Sequence, residues 1–216
     1  MKISATEHRN RNERFRANRV FLSGSQAAIE HKAMRFRADL GISEFVELPL
    51  DIAAARLPNC EVMGLKHVPG VTLELLAYAR EQGYRSFGAL AKRYGDSIQI
   101  VFNDAHQAPQ FRVHVMEEVF HLLLGHRPDI LSVVPIDGKY RTYDPANERE
   151  AYGCAIASLV PFAALHAMLA RQTHIRLIAE RFCVPLEVVE ERIGATNLGE
   201  LMNMQFRQLA LAPAEI

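Results

Sequence analysis

The stretch that most constrains this chain is residues 111–128, FRVHVMEEVFHLLLGHRP. Wound as a helix, it sets Glu117 and His121 four apart on one face, about 6 Å between Cβ atoms. Glu118 lies on the flank of that face and reaches the same imidazole at i, i+3. Val113, Val115, Met116, Val119, Phe120, Leu122, Leu123 and Leu124 wrap most of the remaining circumference. A helix apolar nearly all round belongs in a core. Two carboxylates and an imidazole buried there are costly unless something pairs with them. They can bond to neighbouring side chains, or they can share a metal cation; this stretch alone leaves both open.

The string E-E-x-x-H is one residue away from H-E-x-x-H, in which two histidines bind zinc and the glutamate between them polarises a water. A catalytic zinc site needs three protein ligands and an open position, and in one large class the third ligand is a glutamate from a later helix. Residues 147–161, NEREAYGCAIASLVP, offer Glu150 on a helix whose Ala151, Cys154, Ala155 and Ala157 are small enough for close packing. The expectation is a metal held by Glu117, His121 and Glu150, with Glu118 as the catalytic base. It requires the Glu150 side chain to share a cavity with His121. A competing pattern, with a histidine six residues beyond His121 and a glycine midway, is absent: His126 is five on and Gly125 is beside it. No second E-x-x-H exists to complete a di-iron bundle with Glu118 and His121.

Other polar residues take lesser parts. His114 stands two turns from His121, about 10 Å along the axis, too far to share one ion. His114, His126 and Tyr152 are candidates for substrate or oxyanion contacts, as are Tyr140 and Tyr143. His126 follows the helix end, where a cation complements the dipole.

Composition narrows the function classes. At 216 residues the chain is one domain, or one domain with a small appendage. Its formal net charge of zero gives no global basic excess to hold nucleic acid. The longest apolar run, residues 155–170, is interrupted by Pro161 and His166, so no membrane span is expected. Residues 1–20 form a basic tail with no hydrophobic segment of the secretory kind. Cys60, Cys154 and Cys183 are far apart and odd in number, which reads as reduced thiols in a cytoplasmic protein.

Periodicity predicts a helix over residues 25–40 stopped by Gly41, a short helix over 50–57 and a strand over 60–65. Residues 71–94 read as a helical insertion of two helices split at Gly83, the second marked by Phe87, Leu90 and Ala91. SIQIVFN, residues 97–103, is the best strand and runs directly into the Glu117 helix. Asp137-Gly138 signals a hairpin, Asp144-Pro145 opens a second long helix, and Pro161 breaks it. Residues 173–182 and 185–193 form a closing helix pair within a segment, 171–216, that is helix-turn-helix-like in size. Arg171, Arg176, Arg181 and Arg192 are offset there by Glu180, Glu187, Glu190 and Glu191, which weakens a phosphate-binding role.

Taken in order, these motifs resemble the ImmA/IrrE family of metallopeptidases. The strand ending at Asn103, MEEVFHLLLGH over 116–126, EREAYGCAIASLVP over 148–161 and IAERFCVPLEVVEERI over 178–193 carry the resemblance, which covers roughly residues 25–195. It implies an α+β, mostly helical zincin-like fold with a small antiparallel or mixed sheet beside the active-site helix, the peptidase domain spanning 21–170. Position by position, Glu118 falls on the catalytic glutamate, His121 on a zinc ligand, Glu150 on the third ligand and Glu117 on the other histidine ligand. Tyr152 stands for an asparagine and Cys154 for a phenylalanine of the third motif. The resemblance implies cleavage of a DNA-bound repressor in stress response or mobile-element control. Its alternative is a degenerate pseudopeptidase that binds a partner without cutting it. With Glu117 in place of histidine, a zinc site shifts toward harder cations such as Mn²⁺ or Fe²⁺. The added negative charge weakens the cation as a Lewis acid and slows turnover at neutral pH. Without a metal, Glu117, Glu118 and Glu150 are expected to repel one another until one takes up a proton.

Overall fold

The computed structural model describes residue 22 and residues 24–82, 88–126 and 144–202. The basic tail, the 137–138 hairpin signal, Tyr140, Tyr143 and the end of the C-terminal segment lie outside the described residues. The order of elements is α1 (Gly24–Asp39), α2 (Leu50–Ala54), β1 (Cys60–Gly64), a 3-10 turn (Leu65–His67), α3 (Leu73–Gln82), β2 (Ala89–Tyr94), β3 (Ser97–Phe102), α4 (Ala108–Leu123), α5 (Pro145–Leu159), α6 (Phe162–Ala170), α7 (Ile175–Phe182) and α8 (Leu186–Ala195). The class is α+β and mostly helical, as expected.

Among the described residues, three strands make one mixed sheet in the order β1-β3-β2. β3, the β-branched run, is central: it pairs parallel with β1 (Val62 beside Ile100) and antiparallel with β2 (Ala91 beside Ile100). The second helix expected within residues 71–94 is therefore a strand. ALAKRY carries no β-branched residue, and its apolar Leu90 and Ala91 fit a helix turn equally well. Pairing with β3 on one side and packing against α4 on the other decide the matter.

The sheet lies beside α4, and α4 packs on α5, which in turn packs on α1. Val115, Met116, Val119 and Phe120 of α4 are buried with Ala151, Ala155 and Leu159 of α5 in one core. Each such large apolar side chain contributes about 1.5–3 kcal/mol relative to an exposed one. Phe36 meets Phe120 edge to face at 5.2 Å between centroids, tying α1 to α4. Ile178, Phe182, Val188, Val189 and Ile193 of α7 and α8 belong to this same core. The closing helix pair is thus packed into the body of the protein.

The break at Pro161 frees backbone groups that must find partners indoors. The Arg37 guanidinium donates to the Ser158 carbonyl at 2.6 Å and to the Val46 carbonyl at 2.5 Å. Burial pulls Arg37 down to about 10, with Glu44 opposing the fall. Arg192 donates to the Val160 carbonyl at 3.0 Å and to Glu30 Oε2 at 2.6 Å. Glu30 Oε1 accepts the Phe162 N–H at 2.6 Å. One buried ion pair therefore caps both sides of the α5–α6 break.

No single described helix is long and apolar enough to cross a membrane. α5 and α6 together pass by length and composition, yet they bend by 51° at the break and supply the centre of the core. The three cysteines are free. Burial pushes the Cys154 thiol up to about 12 and raises Cys60 as well, which suits structural rather than reactive thiols.

Candidate metal centre

The site is built where α4 and α5 meet. The chain leaves β3 through a turn in which Asn103 Oδ1 accepts the Ala105 N–H at 2.9 Å. Gln110 Oε1 then accepts the Gln107 N–H at 3.1 Å and Pro109 sits in the first turn, fixing the start of α4. α5 starts on the Asp144 side chain, which accepts the Ala146 N–H at 2.7 Å. Both helix starts are thus set locally, and the packing of α4 on α5 sets where their side chains meet.

Among the described residues, three side chains converge there. One ligand atom each from Glu117, His121 and Glu148 lies within 4.8 Å of the others. His121 is 1% exposed, and its Nε2 stands 3.4 Å from Glu148 Oε2. In a tetrahedral zinc site with bonds of about 2.0–2.2 Å, neighbouring ligand atoms stand about 3.3–3.5 Å apart. The donor set of one imidazole and two carboxylates, open to solvent on the Glu148 side, has the chemistry to hold a divalent cation once the side chains draw in from their spread of up to 4.8 Å.

Glu150, expected as third ligand, lies outside this group. Its carboxylate accepts from Lys32 Nζ of α1 and faces His126 Nε2 at 3.2 Å. Residues two apart on a helix point about 200° apart, so one register offers Glu148 or Glu150 to His121, never both. Glu148 shares its stripe with Ala151 and Ala155, whereas Glu150 shares one with Gly153, where a Cβ would lie 2.9 Å from Ile29 of α1. The expectation that Glu150 would join a repelling carboxylate cluster also fails: the bond from Lys32 holds its carboxyl below the usual range, against some desolvation.

Glu118, expected as catalytic base, is not one of the three converging residues. Its Oε2 accepts the Ala91 N–H of β2 at 3.1 Å. The Asn103 N–H bonds the Gly88 carbonyl at 3.0 Å, so ladder alternation turns the backbone groups of Ala89, Ala91 and Arg93 away from β3. Glu118 thus meets β2 on the side away from β3.

The remaining candidates are placed as follows. His114 Nδ1 stands 3.8 Å from Glu117 Oε2, and its ring packs on Gly88, where an added Cβ would fall 2.3 Å from the imidazole. Gly88→Ala is therefore expected to cost about 1–3 kcal/mol by overpacking, read as a lower midpoint in urea unfolding. Tyr152 donates its hydroxyl to Glu191 Oε2 at 2.7 Å rather than toward the group. Burial first, then Glu191 and Glu117, push its pKa upward. His126 touches His121, Nδ1 to Nδ1, at 3.1 Å.

The family model for the IrrE N-terminal-like domain, peptidase M78, matches residues 84–194. The chain belongs to this family. The match begins just before β2 and runs to within one residue of the end of α8, so β2, α4 and α5 all fall inside the IrrE-like region. A solved structure described as a Mycobacterium tuberculosis transcriptional regulator is similar at 18% identity and a TM-score of 0.48. The similarity covers 77% of this chain and 46% of that one, so the chain spans less than half the length of that regulator. No curated protein matches the chain.

Proposed function

We propose that this IrrE-like protein is a metal-dependent endopeptidase whose cation is held by Glu117, His121 and Glu148. The observation that carries the reading is the convergence of those three side chains from two helices, with Glu118 next to Glu117 in the sequence of α4. A divalent cation there supplies Lewis acidity, polarising a carbonyl and acidifying water. Glu118 holds and moves the proton as general base, once its carboxylate leaves the Ala91 N–H. The ImmA/IrrE resemblance, and no feature of the site, carries the choice of a DNA-binding repressor as substrate.

One observation favours a second reading, a pseudopeptidase that binds its partner without cutting. Glu117 stands where the family pattern has histidine, so two carboxylates and one imidazole would surround a cation there. Zinc titration of the purified chain followed by Glu148→Gln separates the two. The peptidase reading expects stoichiometric zinc or manganese binding that Glu148→Gln abolishes, together with slow cleavage of unfolded casein. Absence of both binding and cleavage, with both gained in Glu117→His, would establish the pseudopeptidase instead.

A further inference from the structure

Behind His121 lies a chain of polar contacts that the metal group does not use. α4 ends in a Schellman turn. Gly125 takes a φ of 71°, the His126 N–H bonds the His121 carbonyl at 2.9 Å, and the Gly125 N–H bonds the Leu122 carbonyl at 3.3 Å. This turn folds the chain back so that the His126 ring lies against His121, with centroids 5.2 Å apart. From there the contacts run in sequence. His121 Nδ1 meets His126 Nδ1 at 3.1 Å, His126 Nε2 meets Glu150 Oε2 at 3.2 Å, and Glu150 Oε1 is paired with Lys32. The His126 side chain is only 8% exposed, so its contact with His121 stands out of water, while Glu150 and Lys32 are partly exposed.

The donors and acceptors along this chain fit one neutral arrangement. A carboxylate only accepts, so the His126 nitrogen facing Glu150 must carry the hydrogen. In a neutral imidazole the other nitrogen is then an acceptor, and His126 Nδ1 must receive its bond from His121 Nδ1–H. That leaves His121 Nε2 as a lone pair aimed at Glu148 Oε2, 3.4 Å away. A divalent cation at Glu117 and Glu148 would be met by that lone pair.

We propose that His126 and Glu150 are positioning residues that set the tautomer and ring orientation of His121, so that its Nε2 is presented to a divalent cation at Glu117 and Glu148. This deepens the peptidase reading and rests on it for the identity of the cation. Glu150 then acts through His126, one shell behind the metal. Lys32 holds Glu150 in place from α1. Partners of this kind, bonded to the far nitrogen of a ligating histidine, change metal affinity by about 10–100-fold when removed.

The test uses the full chain with Zn²⁺ alone as the probe and two readouts. Long-range ¹H–¹⁵N spectra of the metal-free protein at alkaline pH report which His121 nitrogen carries the hydrogen. Chelator competition reports zinc affinity. Wild type is expected to show His121 protonated at Nδ1. His126→Phe, which keeps a ring but no acceptor, should shift that population toward Nε2–H and weaken zinc binding by about 10–100-fold. His126→Asn, which can place an amide oxygen near the lost nitrogen, should recover part of both. Far-UV circular dichroism confirms that each variant is folded. An unchanged His121 tautomer in His126→Phe overturns the proposal, as does equal zinc affinity in wild type and His126→Phe. If wild type binds zinc and both readouts move as described but no substrate is cut, the peptidase reading fails while the positioning role stands.

Discussion

Exchange of Glu118 for Gln is expected to lower casein cleavage by about 10²–10⁴-fold while leaving zinc affinity within a few-fold of wild type. Glutamine keeps the shape and a carbonyl that can still accept the Ala91 N–H, but it cannot take a proton from water. The two readouts must separate for the assignment to hold. Zinc affinity that falls along with cleavage would place Glu118 among the ligands. Cleavage that survives would remove it from the chemistry. Glu117→His is expected to act in the opposite direction, exchanging a negative ligand for a neutral one and so raising the Lewis acidity of a bound cation.

The largest effect on stability is expected from Arg192→Met. Arg192 is fully buried, and its partner Glu30 keeps 10% of its side chain exposed. Removing the guanidinium leaves a buried carboxylate without its counter-charge and the Val160 carbonyl without its donor, a loss of about 3–5 kcal/mol. Urea unfolding followed by circular dichroism measures it. Adding Glu30→Gln to that variant should restore part of the loss, because a neutral amide can still accept the Phe162 N–H. A cost below about 1 kcal/mol for Arg192→Met would mean that water replaces the pair, and that the α5–α6 break is held by packing instead.

Much of this was legible where a single strong pattern governed a segment. The nearly all-apolar circumference around Glu117 and His121 called for a buried helix, and α4 is one. The β-branched run 97–102 called for a strand, and β3 is the centre of the sheet. Asp144-Pro145 marked the start of α5 and Gly41 the stop of α1, because caps and left-handed glycines are local chemistry. Segments decided by a neighbour were not legible. β2 is a strand because β3 pairs with it, and nothing within ALAKRY excludes a helix. Glu148 and Glu150 are chemically identical and two residues apart, so composition cannot rank them. The spacing held a usable signal. Glu148, Ala151 and Ala155 form one stripe, and Glu150, Gly153 and Ala157 another, so α5 offers small residues to two different neighbours. The partnership of His126 with His121 was hidden for the same reason. It needs the turn at Gly125 and the Glu150 side chain from α5, neither of which a helix pattern displays.

Diffraction from zinc-loaded crystals of this chain, recorded across the zinc absorption edge, bears most directly on the convergence of α4 and α5 upon one cation. The expected result is an anomalous peak bonded at about 2.0–2.2 Å to Glu117, His121 Nε2 and Glu148, with Glu150 still bonded to His126. A peak ligated by Glu150 in place of Glu148, or no peak between the two helices at stoichiometric zinc, would contradict it.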